Sequence, residues 1–167
     1  MKIRRIVLGL LVIFMMLVIF IFSSQSGGQS GGLSEKIAVN LINFFNPSFQ
    51  TYSAVDQAKI LDSFEFVIRK MAHMAEYGLL AGLIFLFFFG IRLSYRVTFS
   101  LVITLLYSIS DEIHQHFIPG RTGVYTDVLI DMTGAICIIC ILSIITHFYD
   151  KHKKQKIKIE QKNSEKN

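Results

Sequence analysis

The chain has 167 residues, of which 52% are apolar and only 17% charged, with mean hydropathy +0.50 and a formal net charge of +5. A soluble domain carries about a quarter charged residues, and here the apolar residues are gathered into long runs, which identifies a small integral membrane protein. No strand followed by a Gly-rich phosphate loop is present, so a nucleotide-dependent soluble role finds no support and no cofactor is expected.

The first apolar run, residues 6–22, follows the basic start MKIRR and carries no charge. It is about as long as a bilayer crossing requires, and FSSQSGGQSGG after it offers no A-x-A cleavage site, so it reads as a retained anchor. Next comes SSQSGGQSGG, with the composition of a flexible linker. LSEKIAVNLINFFN then places Leu33, Ile37, Leu41 and Phe44 at helical spacing, as in an amphipathic helix lying on the outer leaflet or against the bundle. Pro47 ends that segment, and a helical pattern resumes from Asp56 toward RKMAHMAEY.

Three more spans are expected at about 71–91, 97–116 and 124–148, the second and third joined by the short turn IRLSYR. The predicted fold is all-α: a polytopic four-transmembrane-helix bundle with an external amphipathic helical segment between the first and second spans. The predicted organisation is a basic N-terminus at 1–5, a membrane domain at 6–149 and a basic tail at 150–167. Cys137 and Cys140 form a lone CxxC inside the fourth run, where the setting is apolar, and they read as packing residues.

Charge placement sets the orientation. Lys2, Arg4, Arg5, Arg92, Arg96 and the seven lysines after the fourth span fall on one side, opposed there by Asp150, Glu160 and Glu165, for a net +9. The other side nets −4, since Lys36, Lys59, Arg69, Lys70 and Arg121 meet nine acids. Basic residues mark the cytoplasmic face, so both termini are expected in the cytoplasm of a bacterial cell, with the tail near anionic lipid. The tail lacks the aromatic interleaving or module of a nucleic-acid binder, so no nucleic acid is expected as a partner.

With that topology every unusual polar group arrives at one membrane level, the external one. Ser23, Ser24 and Gln25 end the first span; Arg69, Lys70, His73, Glu76 and Tyr77 begin the second; Asp111, Glu112, His114 and Gln115 end the third; Arg121 follows the Pro119–Gly120 turn; Asp127 and Asp131 begin the fourth. Arg69, His73 and Glu76 share a helical face, as do Tyr107, Asp111 and His114, and Asp127, Asp131 and Gly134. Such stripes face one another, because facing lipid would leave charges unpaired. Gly134 is placed to allow a close helix approach.

FSSQS, RKMAHMAEYGLLAGL and SDEIHQHFIPGRTGVYTDVLIDMTGA together resemble the VanZ-like membrane family, over residues 6–145. The combined R-K-x-x-H-x-x-E-Y, D-E-x-H-Q-x-F-x-P-G-R and D-x-x-x-D-x-x-G pattern is specific, although each piece alone is weak. The resemblance implies a role in bacterial cell-envelope biology or in resistance to teicoplanin-type glycopeptides.

Three chemistries suit the cluster. It could be an ion-pair network holding the helices, with Arg121 forked onto Asp111 or Asp127 and Arg69 onto Glu76 or Asp131. It could bind or shield a polar headgroup, a cell-wall precursor or a glycopeptide through Arg69, Lys70, Tyr77, Glu112, Gln115, Arg121, Asp127 and Asp131, with membrane lipids as constant partners. The alternative is a membrane-embedded hydrolase or transferase acting on a lipid-linked phosphate, with His73, Glu76, Asp111 and His114 as catalytic candidates. No metal is expected; His73, His114 and Asp131 are the weakly supported exception, on ligand type and spacing.

Overall fold

A computed structural model describes residues 2–121 and 123–164. The uncharged run from Ile6 favours a continuous helix, since no water is available in hydrocarbon to replace a broken backbone hydrogen bond. Accordingly α1 runs unbroken over Lys2–Ser23. After it come α2 (Gly27–Phe45), a short 3₁₀ turn (Pro47–Thr51), α3 (Ala54–Phe87), α4 (Leu93–Gln115) and α5 (Tyr125–Ser164). The described residues form no strand, only an isolated bridge between Phe89 and Ile91. Four helices are long and apolar enough to cross a membrane: α1, α3, α4 and the Tyr125–Ile157 part of α5.

Local chemistry accounts for the helix ends. Pro47 cannot donate to a continuing helix and sits at the start of the 3₁₀ turn. Ser53 caps α3: its hydroxyl accepts from the Asp56 amide at 3.2 Å and donates to the Asp56 carboxylate at 2.6 Å. At the far end α3 gives way to a turn through Gly90, whose φ of 105° suits glycine. Arg96, in the first turns of α4, reaches back to α3, donating from Nε to the Phe85 carbonyl at 3.3 Å and lying 3.9 Å above the Phe85 ring. A buried cation is thus held by a carbonyl and an aromatic face.

Two departures from the sequence reading concern α2. The Gly/Ser stretch read as a flexible linker contains the start of the helix, at Gly27. The stripe packed on the protein is Ser34, Ala38 and Ile42; Ala38 and Ile42 cluster with Phe49 and with Ile60, Leu61 and Ile68 of α3. Leu33, Ile37, Leu41 and Phe44, read as one amphipathic face on the outer leaflet or against the bundle, are exposed and so do not pack on the bundle. The smaller Ala38 lets α2 lie close along α3, and that packing outweighs the poor helix propensity of the glycines.

The bundle itself is held most closely between α3 and α5. A Cβ at Gly134 would lie 2.0 Å from the Met74 carbonyl oxygen, and one at Gly78 would lie 3.0 Å from Ile138 and 3.1 Å from the Gly134 carbonyl. Only glycine permits that backbone-to-backbone contact. Around it lie two apolar clusters, Met15, Ile19, Tyr77, Leu80 and Ile84 toward α1, and Ala81, Phe85, Ala135 and Ile139 toward α5. Cys137 and Cys140, read as packing residues, are free thiols on α5 that are exposed and not packed against the other helices. Their flank of the helix points away from the Gly134 and Ala135 contact.

Candidate functional site

The site is built on α4, which turns one polar stripe inward. Arg96, Ser100, Thr104, Ser108, Asp111, Glu112 and Gln115 are all buried, whereas Val102, Leu106, Ile109 and Ile113 are exposed. Such an inverted helix suits a bilayer, where apolar side chains meet lipid and polar ones must find partners inside.

One polar face of α4 is read by α1. Tyr107 donates to the Met16 carbonyl at 2.5 Å. Asp111 accepts from Ser23 at 2.7 Å and from Gln115 at 2.8 Å, and Gln115 also reaches Ser23 at 3.2 Å. His114 contacts the Ser24 hydroxyl through Nε2 at 3.1 Å and stacks on Phe20, with ring centroids 4.7 Å apart. The adjoining face of α4 is read by α5 and the loop before it. Ser108 donates to Asp131 at 2.6 Å, and Glu112 accepts the Val124 amide at 2.9 Å. Among the described residues the second Glu112 oxygen is buried without a partner.

From α3, Lys70 forms an ion pair with Asp127. His73 Nδ1 lies 3.6 Å from Asp131 Oδ1, within ion-pair range but too long for a hydrogen bond. Asp131 is 1% exposed, so the histidine is in front of a carboxylate closed off behind it. Tyr77 is fully buried, with its hydroxyl toward Asp111. Tyr77 and Tyr107 lie side by side with ring centroids 6.2 Å apart.

The arginines behave differently from the ion-pair network foreseen in the sequence. Among the described residues neither Arg69 nor Arg121 is in an ion pair. Arg121 donates to the Phe22 carbonyl at 3.1 Å, and the buried Arg69 Nε has no partner. Three of the four anticipated partners are engaged elsewhere: Asp127 with Lys70, Asp131 with Ser108 and His73, and Asp111 with Ser23 and Gln115; the fourth, Glu76, borders the smaller lobe with both arginines and forms no ion pair among the described residues. Neutral donors so close to Asp111 and Asp131 need no long cation to be held in place. Burial, and then the neighbouring Arg69, draw the Arg121 guanidinium below its ordinary range, while Asp111, Glu112 and Glu76 act in the opposite direction.

These groups border a cleft with two lobes. The smaller, of about 120 Å³, lies between α1, α2 and α3 and includes Ser23, Ser34, Arg69, His73, Glu76 and Arg121. The larger, of about 440 Å³, opens between α3, α5 and the loop and includes Arg69, Lys70, His73, Gln115, Arg121 and Asp127. Arg69, His73 and Arg121 border both. The two lobes therefore carry three cations and a histidine against Glu76 and the Asp127 already matched to Lys70. Asp111, Glu112 and Asp131 are buried behind that surface.

Of the residues singled out in the sequence, Arg69, Lys70, His73, Glu76, Gln115, Arg121 and Asp127 border the cleft, and Asp111, Glu112, Tyr77 and Asp131 support it. His114 is turned toward Ser24 and Phe20, away from the pair formed by His73 and Asp131. Among the described residues no three His, Cys, Asp or Glu side chains are grouped so as to hold a metal ion. Ser108 and the α2 residue Ser34 were missed. The signal for Ser108 was available: Arg96, Ser100, Thr104, Ser108 and Glu112 recur every fourth residue in an apolar helix.

A family model described as VanZ/LLP1 matches residues 8–146. No curated protein and no solved structure matches the chain.

Proposed function

The chain belongs to the VanZ/LLP1 family, and from that premise we propose that it binds an anionic, phosphate-type headgroup in the cleft between its helices. One observation carries the reading: two guanidinium groups, Arg69 and Arg121, border one cavity and among the described residues neither forms an ion pair, while Asp111, Asp127 and Asp131 are engaged elsewhere and Glu76 alone of the expected partners shares their cleft. Unpaired planar cations that border one space are suited to bidentate recognition of phosphate. The charge split of the sequence supports a cleft on the outer face of the bacterial cytoplasmic membrane, with both termini inside. There the site would bind or shield an envelope lipid, a cell-wall precursor or a glycopeptide, in keeping with a role in envelope biology or teicoplanin-type resistance.

The test uses purified protein in nanodiscs, with glycerol 3-phosphate as the soluble probe and a long-chain phosphate monoester as the lipid probe. Saturable retention of at least one of them, lost on Arg69→Ala and Arg121→Ala, is expected. Retention unchanged in both variants would refute the assignment. In cells, an effect of the protein on teicoplanin susceptibility should vanish with the same two changes.

A second reading, a hydrolase or transferase acting on lipid-linked phosphate, is favoured by the position of His73. It borders both lobes beside the arginines and has Asp131 at its back, itself held by Ser108. In such a reaction His73 would take a proton from the attacking water and return it to the oxygen leaving phosphorus. His73→Gln should then stop turnover and spare headgroup retention, whereas no phosphate release by the unaltered protein would leave binding alone.

A further inference from the structure

On the flank of the bundle beyond the Arg121 loop, α4 and α5 enclose a second, apolar groove of about 480 Å³. It is lined by Ile109 and Ile113 from α4 and by Val124, Tyr125, Val128 and Leu129 from the loop and α5. Its walls belong to two helices that cross the membrane, and Ile113, Tyr125 and Leu129 are exposed. A groove with this lining is suited to a hydrocarbon chain.

The groove adjoins the arginine cleft. Val124 borders both. The residue before it is Gly123, where a Cβ would lie 2.5 Å from the Glu112 carbonyl oxygen, so the loop lies flat on the end of α4. Glu112, only 7% exposed, reaches the same junction: it lines the groove, holds the Val124 amide with one oxygen and keeps the other buried without a partner among the described residues. A buried acceptor with no donor is unfavourable, so this one marks a position for a ligand donor.

We infer that the ligand is a single amphiphile, its anionic head between Arg69 and Arg121, its hydrocarbon chain in the α4/α5 groove and a hydroxyl or amide N–H at the head–chain junction facing Glu112. This rests on the headgroup reading and adds the chain, the donor and the route by which the molecule enters from the bilayer. The groove explains why the polar cleft has an apolar neighbour across one residue. It also explains why the Glu112 carboxylate lies at that border and not on the cleft surface.

The experiment uses the full chain in nanodiscs and a monoacylglycerol 3-phosphate with a diazirine in mid-chain, which carries the head, the free hydroxyl and the chain. The matching neutral monoacylglycerol and water-soluble glycerol 3-phosphate are the comparison probes. The expected result is photolabelling at Ile113 or Leu129 by the phosphate amphiphile, falling about tenfold with Arg121→Ala and for the neutral lipid. Leu129→Trp should weaken retention of the amphiphile by roughly tenfold, what losing contact with about two methylenes costs. The same change should leave glycerol 3-phosphate unaffected. Leu106→Trp, on an exposed part of α4 outside the groove, should change neither. Equal labelling by the neutral lipid, or labelling indifferent to Arg121→Ala, would show ordinary bilayer contact and overturn the inference. If glycerol 3-phosphate still binds in an Arg121-dependent way, the headgroup reading survives that result; if neither phosphate probe binds, both fall.

Discussion

Arg121→Ala separates a residue that holds the protein together from one that holds a ligand. Among the described residues the side chain makes one hydrogen bond, 3.1 Å to the Phe22 carbonyl, and no ion pair. A bond to a charged donor contributes about 1.5–3 kcal/mol, and this one lies at a solvent-accessible site, so a loss of about 1.5 kcal/mol is expected. Asp111 and Asp127 are not stranded by the change, because they keep their donors, and Glu76 loses a neighbouring cation with which it forms no ion pair. Breaking a fully buried ion pair would cost about 3–5 kcal/mol instead. Lys70→Ala supplies the contrast, since it leaves the part-buried Asp127 without its cation. Thermal unfolding in nanodiscs, followed beside retention of a phosphate probe, measures both quantities. Arg121→Ala should melt close to the unaltered protein and lose the probe, and Lys70→Ala should be the less stable of the two. An Arg121→Ala protein that melts well below Lys70→Ala, or that retains the probe, would refute the unpaired-arginine argument.

Gly134→Ala puts a methyl group 2.0 Å from the Met74 carbonyl and must push α3 and α5 apart. A cost of about 3 kcal/mol or more, seen as reduced membrane accumulation and a lower melting point, is expected. Ser108→Ala removes a 2.6 Å donor from a carboxylate 1% exposed and should destabilise by about 1–3 kcal/mol, which Ser108→Thr should partly recover. In a background without Cys137 and Cys140, an impermeant maleimide on whole cells should label Ser48→Cys, on the 3₁₀ turn, and miss Ser94→Cys, at the start of α4; both positions are exposed. The opposite labelling would reverse the orientation and place the cleft in the cytoplasm.

Two features were legible in the chain before any folding was considered: four apolar helices, and the meeting of charged motifs from separate segments at one end of them. Both follow from the bilayer, which demands about twenty apolar residues per crossing and penalises any charge that faces lipid. The inward stripe of α4 belongs with them, since Arg96, Ser100, Thr104, Ser108 and Glu112 repeat at helical spacing. Partner choice was not legible. Asp111, Asp127 and Asp131 all lie within reach of several cations on the one-dimensional pattern, and helix rotation and separation decide which of them is met. Those are set by packing: the Gly134–Met74 contact brings α3 against α5, giving Lys70 to Asp127 and His73 to Asp131. The α1–α4 contact hands Asp111 to Ser23 and His114 to Ser24. Likewise α2 has apolar residues on two faces, and the narrower one, Ala38 with Ile42, is chosen because a small side chain lets it lie against α3. The unpaired state of Arg69 and Arg121, on which the functional reading depends, is a property of that packing: charges of similar depth compete for partners, and shape decides which are left over.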